Sequence, residues 1–304
     1  MTNDTTMSSG LSGEPGASVS VRAPAKLNLY LHITGKREDG YHEIDSLAIF
    51  TASGDTIAIQ PAPLGSGIQF SSDGPFAPNM GPDNNNLVLQ AARLLAHEAG
   101  SAFRDVTIQL TKRLPVAAGI GGGSSDAAAT LRALERFWDL GLSEDRLAEL
   151  GLTLGADVPM CLRREPVFAG GIGEDLSDAP ELPPLSLVLA NPGVAVATPD
   201  VFKARTGGFS KPARFKGPIE DEAALAKLLK KRGNDLTDAA ISIAPVIKDV
   251  LKTIEDQPGC LLARMSGSGS TCFGLFADSA QADSARKAIH ATQPRWWVDT
   301  MMAF

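Results

Sequence analysis

Cysteine is scarce: Cys161, Cys260 and Cys272 are the only three in 304 residues. They are too few and too scattered for a disulfide framework, and no two form a CxxC pair. The four histidines fall nowhere near metal-ligand spacing around them, which excludes a Cys/His zinc site. Free thiols of this kind belong in a reducing cytoplasm. No run of about 18 apolar residues occurs, so no helix can span a bilayer. Residues 1–18, rich in Ser, Thr and Gly, lack the apolar stretch of a secretory signal. They read as a disordered tail outside the fold. An excess of positive charge is also missing. The net charge of −7 argues against nucleic acid as a partner. It leaves small anionic ligands open, because backbone amides and a few lysines bind phosphate locally.

What is present is the composition of a globular protein, 43% hydrophobic and 21% charged. The length suits one large or two ordinary domains. Leu27, Leu29, Leu31 and Ile33 alternate with Lys26, Asn28, Tyr30 and His32, which predicts a strand with one buried and one polar face. Further strands are expected near Ile44–Phe50, Thr56–Ile59 and Val106–Leu110. Asn85 or Asn86 is expected to cap a helix with Leu87, Val88, Ala91, Leu94 and Leu95 inward. Ala127, Ala128, Leu131, Leu134 and Phe137 give another helix its apolar face. A helix from Ser143, a short one near Val158 and a strand with a turn at Pro166–Gly173 follow. The pattern then restarts with strands at 185–190, 260–265, 271–276 and 296–302, and helices near 221–231, 245–255 and 278–291. Strands and helices mix without regular βαβ alternation, so the fold class is α+β in two domains, divided near residues 164–182. The basic stretch Lys203–Lys216 reads as a solvated surface loop.

The strongest chemical signal is Pro115-Val-Ala-Ala-Gly-Ile-Gly-Gly-Gly-Ser-Ser-Asp126, which joins an alternating strand to an amphipathic helix. Glycines 119 and 121 to 123 allow positive φ and close approach of backbone to a ligand. Their amides, the hydroxyls of Ser124 and Ser125 and the helix N-terminus converge where an anion binds, most plausibly polyphosphate. The plainer reading is a glycine-rich turn with Ser124 as N-cap. Neither GxxxxGK[ST] nor a complete GxGxxG occurs, and protein-kinase motifs are absent. Met265-Ser-Gly-Ser-Gly-Ser-Thr271 is a weaker signal that a tight hairpin explains equally well. Asp157 precedes Pro159, and on its own reads as a helix N-cap.

Together these segments resemble the GHMP kinase superfamily. Ala23-Pro-Ala-Lys26-Leu-Asn28-Leu, Asp39-Gly-Tyr41-His42, Lys112-Arg-Leu-Pro115, Gly155-Ala-Asp157-Val-Pro159 and Thr198-Pro-Asp-Val-Phe202 narrow the likeness. They are similar to the branch whose acceptor is 4-diphosphocytidyl-2-C-methyl-D-erythritol, in order, from about Val21 to Phe276. The resemblance implies an N-terminal ribosomal-protein-S5-like ATP-binding domain over 19–165 and a ferredoxin-like, substrate-binding α+β domain over 166–304. It implies transfer of the γ-phosphate of ATP to the acceptor's 2-hydroxyl in non-mevalonate isoprenoid synthesis, with Mg²⁺ accompanying ATP and no dedicated metal ligand. Asp157 matches the catalytic base and Lys26 the catalytic lysine. Asn86, Lys112, Pro115, Ala117, Ala118, Gly119, Ile120, Gly121, Gly122, Gly123, Ser124 and Ser125 match nucleotide-binding positions. Asn28, Tyr41, His42, Thr198 and Phe202 match acceptor-binding ones, with Tyr41 and Phe202 stacking on cytosine and His42 reading it. The family often has glycine where this chain has Ala117 and Ala118, which stiffens the loop. Asp126, where asparagine is also common, reads as a helix cap. The expected partner is the small-molecule substrate, in a cytoplasmic monomer or weak homodimer. Other GHMP enzymes (homoserine, mevalonate or sugar kinases) and a non-catalytic nucleotide-binding regulator are the alternatives.

Overall fold

The computed structural model describes residues 16–81 and 86–303. The expected disordered tail therefore lies, over residues 1–15, outside the described residues. Strand β1 (Val19–Lys36) and strand β2 (His42–Pro61) form a long antiparallel hairpin. The two strands expected at 44–50 and 56–59 are one continuous strand, because the chain around Gly54 stays paired with β1 at Pro24. Strand β3 (Ile68–Asp73), which the alternation did not reveal, runs parallel to β4 (Val106–Thr111), and β4 pairs with β2. Helices α1 (Leu87–Ala99), α2 (Gly122–Trp138), α3 (Glu144–Leu154) and α4 (Val158–Arg163) cover this sheet. Val88, Ala91 and Leu95 of α1 and Leu131, Leu134 and Phe137 of α2 pack on Ile57, Ile59 and Ile108. Strands β5 (Val167–Gly170) and β6 (Asp175–Asp178) also belong here, since β5 pairs with β2 through Leu47 and Phe168. The expected division at 165/166 falls just ahead of β5. The chain changes sheets between Asp178 and Leu185.

The second sheet holds β7 (Leu185–Asn191), β8 (Cys260–Met265), β9 (Cys272–Phe276) and β10 (Trp297–Ala303). Its helices are α5 (Thr198–Ala204), α6 (Glu222–Leu229), α7 (Thr237–Ile243), α8 (Val246–Glu255) and α9 (Ser279–Thr292). Ile247, Val250 and Ile254 recur at helical spacing and bury one face of α8. Among the described residues the two sheets meet through one strand pairing, Ala303 with Thr51. Side chains supply most of the join: Leu27, Leu29, Leu47 and Ile49 share one core cluster with Leu187, Leu189, Phe273 and Leu275.

This join corrects the expectation of one polar face on β1. Lys26 and Asn28 are 5% and 2% exposed, because β1 is covered on both sides. The alternation also slips at a bulge between Asn28 and Tyr30. A lysine and an asparagine buried there must find partners or bind a ligand.

Candidate active site

A cavity of ≈ 1180 Å³ opens between the two halves. Its glycine-rich wall starts at the end of β4. Asp55, fully buried, accepts hydrogen bonds from Arg113 N at 2.5 Å, Leu114 N at 2.8 Å and Lys112 Nζ at 2.5 Å. That carboxylate turns the chain out of the sheet and into the loop. Lys112 Nζ also donates to Asp126 Oδ2 at 2.7 Å. Burial alone would lower the Lys112 ammonium, but its two carboxylates outweigh that and hold its pKa above the ordinary lysine value. Burial, opposed by Lys112 and reinforced by Asp55, pushes Asp126 up to about 7. Its 2.7 Å contact with Lys112 Nζ makes Asp126 a buried partner of that lysine inside α2. The expectation that it caps the helix fails, because the N-cap is Gly121 in the left-handed region. For the same reason Ser124 sits within the first turn and is not a cap.

Positive φ occurs at Gly119 (72°) and Gly121 (62°), while Gly122 and Gly123 are helical. Ala117 is also left-handed, at φ 51°, which explains a glycine preference at that position; a side chain there costs about 1–2 kcal/mol. Gly119 is needed for space as well. A Cβ there would lie 2.5 Å from Ser266 O and 2.6 Å from Gly269 N. The second glycine-rich segment is thus more than a hairpin: it buttresses the first. Ser266 Oγ donates to Gly119 O at 3.0 Å and Thr271 N to Ala118 O at 3.1 Å. Asn234 holds the segment in turn, donating to Met265 O and Gly267 O at 2.8 Å each. Gly119→Val is expected to split the two loops and raise the ATP KM at least about tenfold, through strained φ and backbone collision. Unchanged ATP affinity by calorimetry would show that the packing of the two loops is dispensable.

Beneath the loop lies the polar pair from β1. Lys26 N donates to Ile120 O at 2.9 Å, tying strand to loop. Lys26 Nζ donates to Asn28 Oδ1 at 3.0 Å and pairs with Asp157 Oδ2 at 3.1 Å. Asn28 Nδ2 donates to Ser46 Oγ at 2.8 Å, which orients the amide. Asp157 occupies the N-cap position of α4, yet its side chain makes no capping bond there. Its carboxylate, 37% exposed, faces Lys26 instead.

The cavity gathers most of the expected residues. Asn86, Lys112, Pro115, Ala117, Ala118, Gly119, Gly121, Gly122, Gly123 and Ser124 line it, together with Asn28, Tyr41, His42, Thr198 and Phe202. Ile120 and Ser125 do not; both side chains are buried, and Ser125 Oγ has no partner. Asn86 caps α1 through Val88 N at 2.9 Å, and its Nδ2 is buried without a partner among the described residues. At the far end the His42 and Phe202 rings lie 5.2 Å apart and 30° from parallel. Tyr41 is 61% exposed beside them. Thr198 Oγ1 and Ser268 Oγ lie 2.8 Å apart, joining this end to the second glycine loop. Asp55, Asn234 and the Ser266–Ser268 loop were missed as site components. Only the loop carried a sequence signal; Asp55 and Asn234 act on partners remote in the chain.

Residues 86–165 match the family described as GHMP kinases N terminal domain, and 217–295 match GHMP kinases C terminal. The 4-diphosphocytidyl-2-C-methyl-D-erythritol kinase of Paramagnetospirillum magneticum is 51% identical over 92% of this chain and 97% of its own length. That of Rhodospirillum rubrum is 50% identical over 92% and 91%. A crystal structure of 4-(cytidine 5'-diphospho)-2C-methyl-D-erythritol kinase is 36% identical, with a TM-score of 0.73 over 93% of this chain and 99% of that one. Homoserine kinase from Cytophaga hutchinsonii, 18% identical with a TM-score of 0.69 over 96% of both chains, shares the fold. With a glycine-rich loop, a lysine–aspartate pair and an aromatic end along one cavity, and relatives at this level of identity, the chain belongs to the 4-diphosphocytidyl-2-C-methyl-D-erythritol kinase family of GHMP kinases.

Proposed function

We propose that the protein transfers the γ-phosphate of ATP to the 2-hydroxyl of 4-diphosphocytidyl-2-C-methyl-D-erythritol, as a cytoplasmic enzyme. The observation that carries this reading is the Lys26–Asp157 pair at 3.1 Å, set between the phosphate loop and the aromatic end of one cavity. Asp157 takes the hydroxyl proton as the acceptor oxygen attacks the γ-phosphorus; the β–γ bond breaks and ADP leaves. Lys26, held by Asn28, supports the charged form of Asp157 and the developing negative charge. Backbone amides from Ala117 to Ser124 cradle the phosphates; the Ser125 amide is taken by Gly121 O at 2.9 Å. Lys112 contributes through the shape of the loop, since both Asp55 and Asp126 occupy its ammonium. The unpartnered Asn86 Nδ2 suits the nucleoside of ATP. Chain 19–165 handles the nucleotide, and 166–304 supplies Thr198 and Phe202 for the acceptor.

Mg²⁺ fits beside the phosphates. Asp126 Oδ1 is buried without a partner, and Ser124 lines the cavity. Mg²⁺ typically keeps several waters and is held by one or two carboxylates together with substrate phosphates. When bound there it neutralises phosphate charge.

Tyr41 and Phe202 stack on cytosine, and His42 reads its edge. The test compares kcat/KM for cytidyl and uridyl acceptors. Phe202→Ala is expected to weaken the cytidyl acceptor by ~1–3 kcal/mol, roughly 5- to 150-fold, with ATP unaffected. A wild type indifferent to the base would remove the named acceptor while leaving phosphoryl transfer intact. Burial, with Lys36 and Arg205 nearby, holds His42 below the usual histidine value of 6.5. A base with a lowered pKa stays neutral to lower pH. The acceptor KM should therefore be flat from about pH 8 to about pH 6.5 and rise only below that. Lys36→Ala should move the rise to higher pH; an unmoved profile would remove His42 as the titrating group.

A further inference from the structure

We propose that residues 205–215 form a strap that sets the acceptor wall, and that Asp45 is the positioning residue that pins it. The inference rests on the reading that His42 and Phe202 make that wall. Asp45 lies on β2 three residues after His42 and is 2% exposed. Its carboxylate accepts from Tyr30 Oη at 2.9 Å, Ala213 N at 2.7 Å and Arg214 Nε at 2.9 Å. Two of these three donors belong to the strap. A buried carboxylate needs such donors, and in turn fixes whatever supplies them.

The strap leaves α5 three residues after Phe202, so its anchorage bears directly on where that ring sits. Ser210 N donates to Ile33 O at 2.9 Å, which lays the strap along the open edge of β1. Arg232 Nε donates to Ala213 O at 2.6 Å. The segment is a largely exposed surface loop, as expected, but it is docked at these points. The hold is mostly polar. Phe209 is 56% exposed, and Phe215, packed edge-on to Phe168 at 5.5 Å, is the strap's main apolar anchor. Residues 203–216 include Lys203, Arg205, Lys211, Arg214 and Lys216 and no acidic residue. Asp45 supplies from β2 the negative charge the segment lacks. Loss of a polar pin frees a segment like this locally, without unfolding the domain.

Steady-state kinetics of Asp45→Asn and Arg214→Gln test the strap, with Phe202→Ala alongside. Arg214 has a side chain 36% exposed, so its variant folds even if the Asp45 variant does not. Each strap variant is expected to raise the acceptor KM about tenfold, the scale of one charge-assisted hydrogen bond. ATP KM and kcat at saturating acceptor should stay within about twofold, a split that general destabilisation does not produce. The double variant should fall short of the product of the two single effects, since the two residues share the Arg214 Nε–Asp45 bond while Asp45 also holds Ala213 N and Arg214 also holds Ser177 Oγ. If Phe202→Ala raises the acceptor KM while Arg214→Gln does not, the strap fails and the wall stands. If Phe202→Ala leaves the acceptor KM unchanged, the wall fails and the strap with it. Equal rises in the ATP and acceptor KM would reduce Asp45 to a structural residue.

Discussion

Asp157→Asn is expected to lower kcat by at least about 10²–10⁴-fold, the usual contribution of a positioned general base, with ATP affinity and fold retained. The geometry makes the substitution informative. Asp157 stands at an N-cap without making the capping bond, so the amide removes no helix-stabilising contact. Lys26 keeps Asn28 Oδ1 as an acceptor at 3.0 Å, so its ammonium is not left without a partner. Asn has nearly the volume of Asp and cannot take a proton from a hydroxyl. The loss should fall on kcat and on kcat/KM alike, the pattern of an interaction made in the transition state. ATP titration by calorimetry and a thermal melt complete the experiment. A folded variant with near-normal kcat would make Asp157 a structural group and leave the hydroxyl proton without a destination.

Lys112→Met should instead act on stability. Met is about as long and apolar, so little packing is lost, but Asp55 and Asp126 are left buried without their cation. Breaking a buried ion pair from one side costs about 3–5 kcal/mol. For a chain of this size each kcal/mol shifts Tm by a few degrees, so a fall of order 10 °C is expected. Part of it should return in Lys112→Met combined with Asp126→Asn, which removes the cost of burying or protonating the Asp126 carboxylate. Asp55 would stay ionised there, because Arg113 N and Leu114 N still donate to it. A Tm within about 2 °C of wild type for Lys112→Met would mean that the carboxylates take up protons at little cost. The ammonium would then have no structural role.

The two substitutions divide the site along a line only half legible in the sequence. Lys26 and Asn28 were placed two residues apart on one strand face, and the 3.0 Å bond between them follows from that spacing. Glycine density marks the loop in the sequence, and it does join strand β4 to helix α2. Its conformation is not marked there: positive φ falls on Gly119, Gly121 and Ala117, while Gly122 and Gly123 already belong to α2. Composition says where left-handed backbone is tolerated; the crossing of Ser266 and Gly269 over Gly119 decides where it is used. Asp126 was misassigned for a similar reason. A carboxylate near a helix start has the local pattern of a cap, and nothing local names a lysine just past the end of the preceding strand as its partner.

Element types were largely determined by local pattern, because apolar periodicity records which face a segment must bury whatever it packs against. Strands β1, β4, β7, β8 and β9 and helices α2, α6, α8 and α9 came from that alone. The nature of the chemistry was also present in the sequence, since a glycine-rich loop, a lysine and a carboxylate are residue types whose local setting limits what they can do. Tertiary structure alone decided that β1 is covered on both faces, that Asp55 and Asp126 share one ammonium and that Ser266 props the phosphate loop. It also decided that Asp45 reaches across 168 residues of chain to Ala213. Each is a contact between groups far apart in sequence. Such contacts depend on the closure of the two sheets around Leu27, Leu29, Leu187 and Leu189, and no local periodicity records which distant surface will close on which.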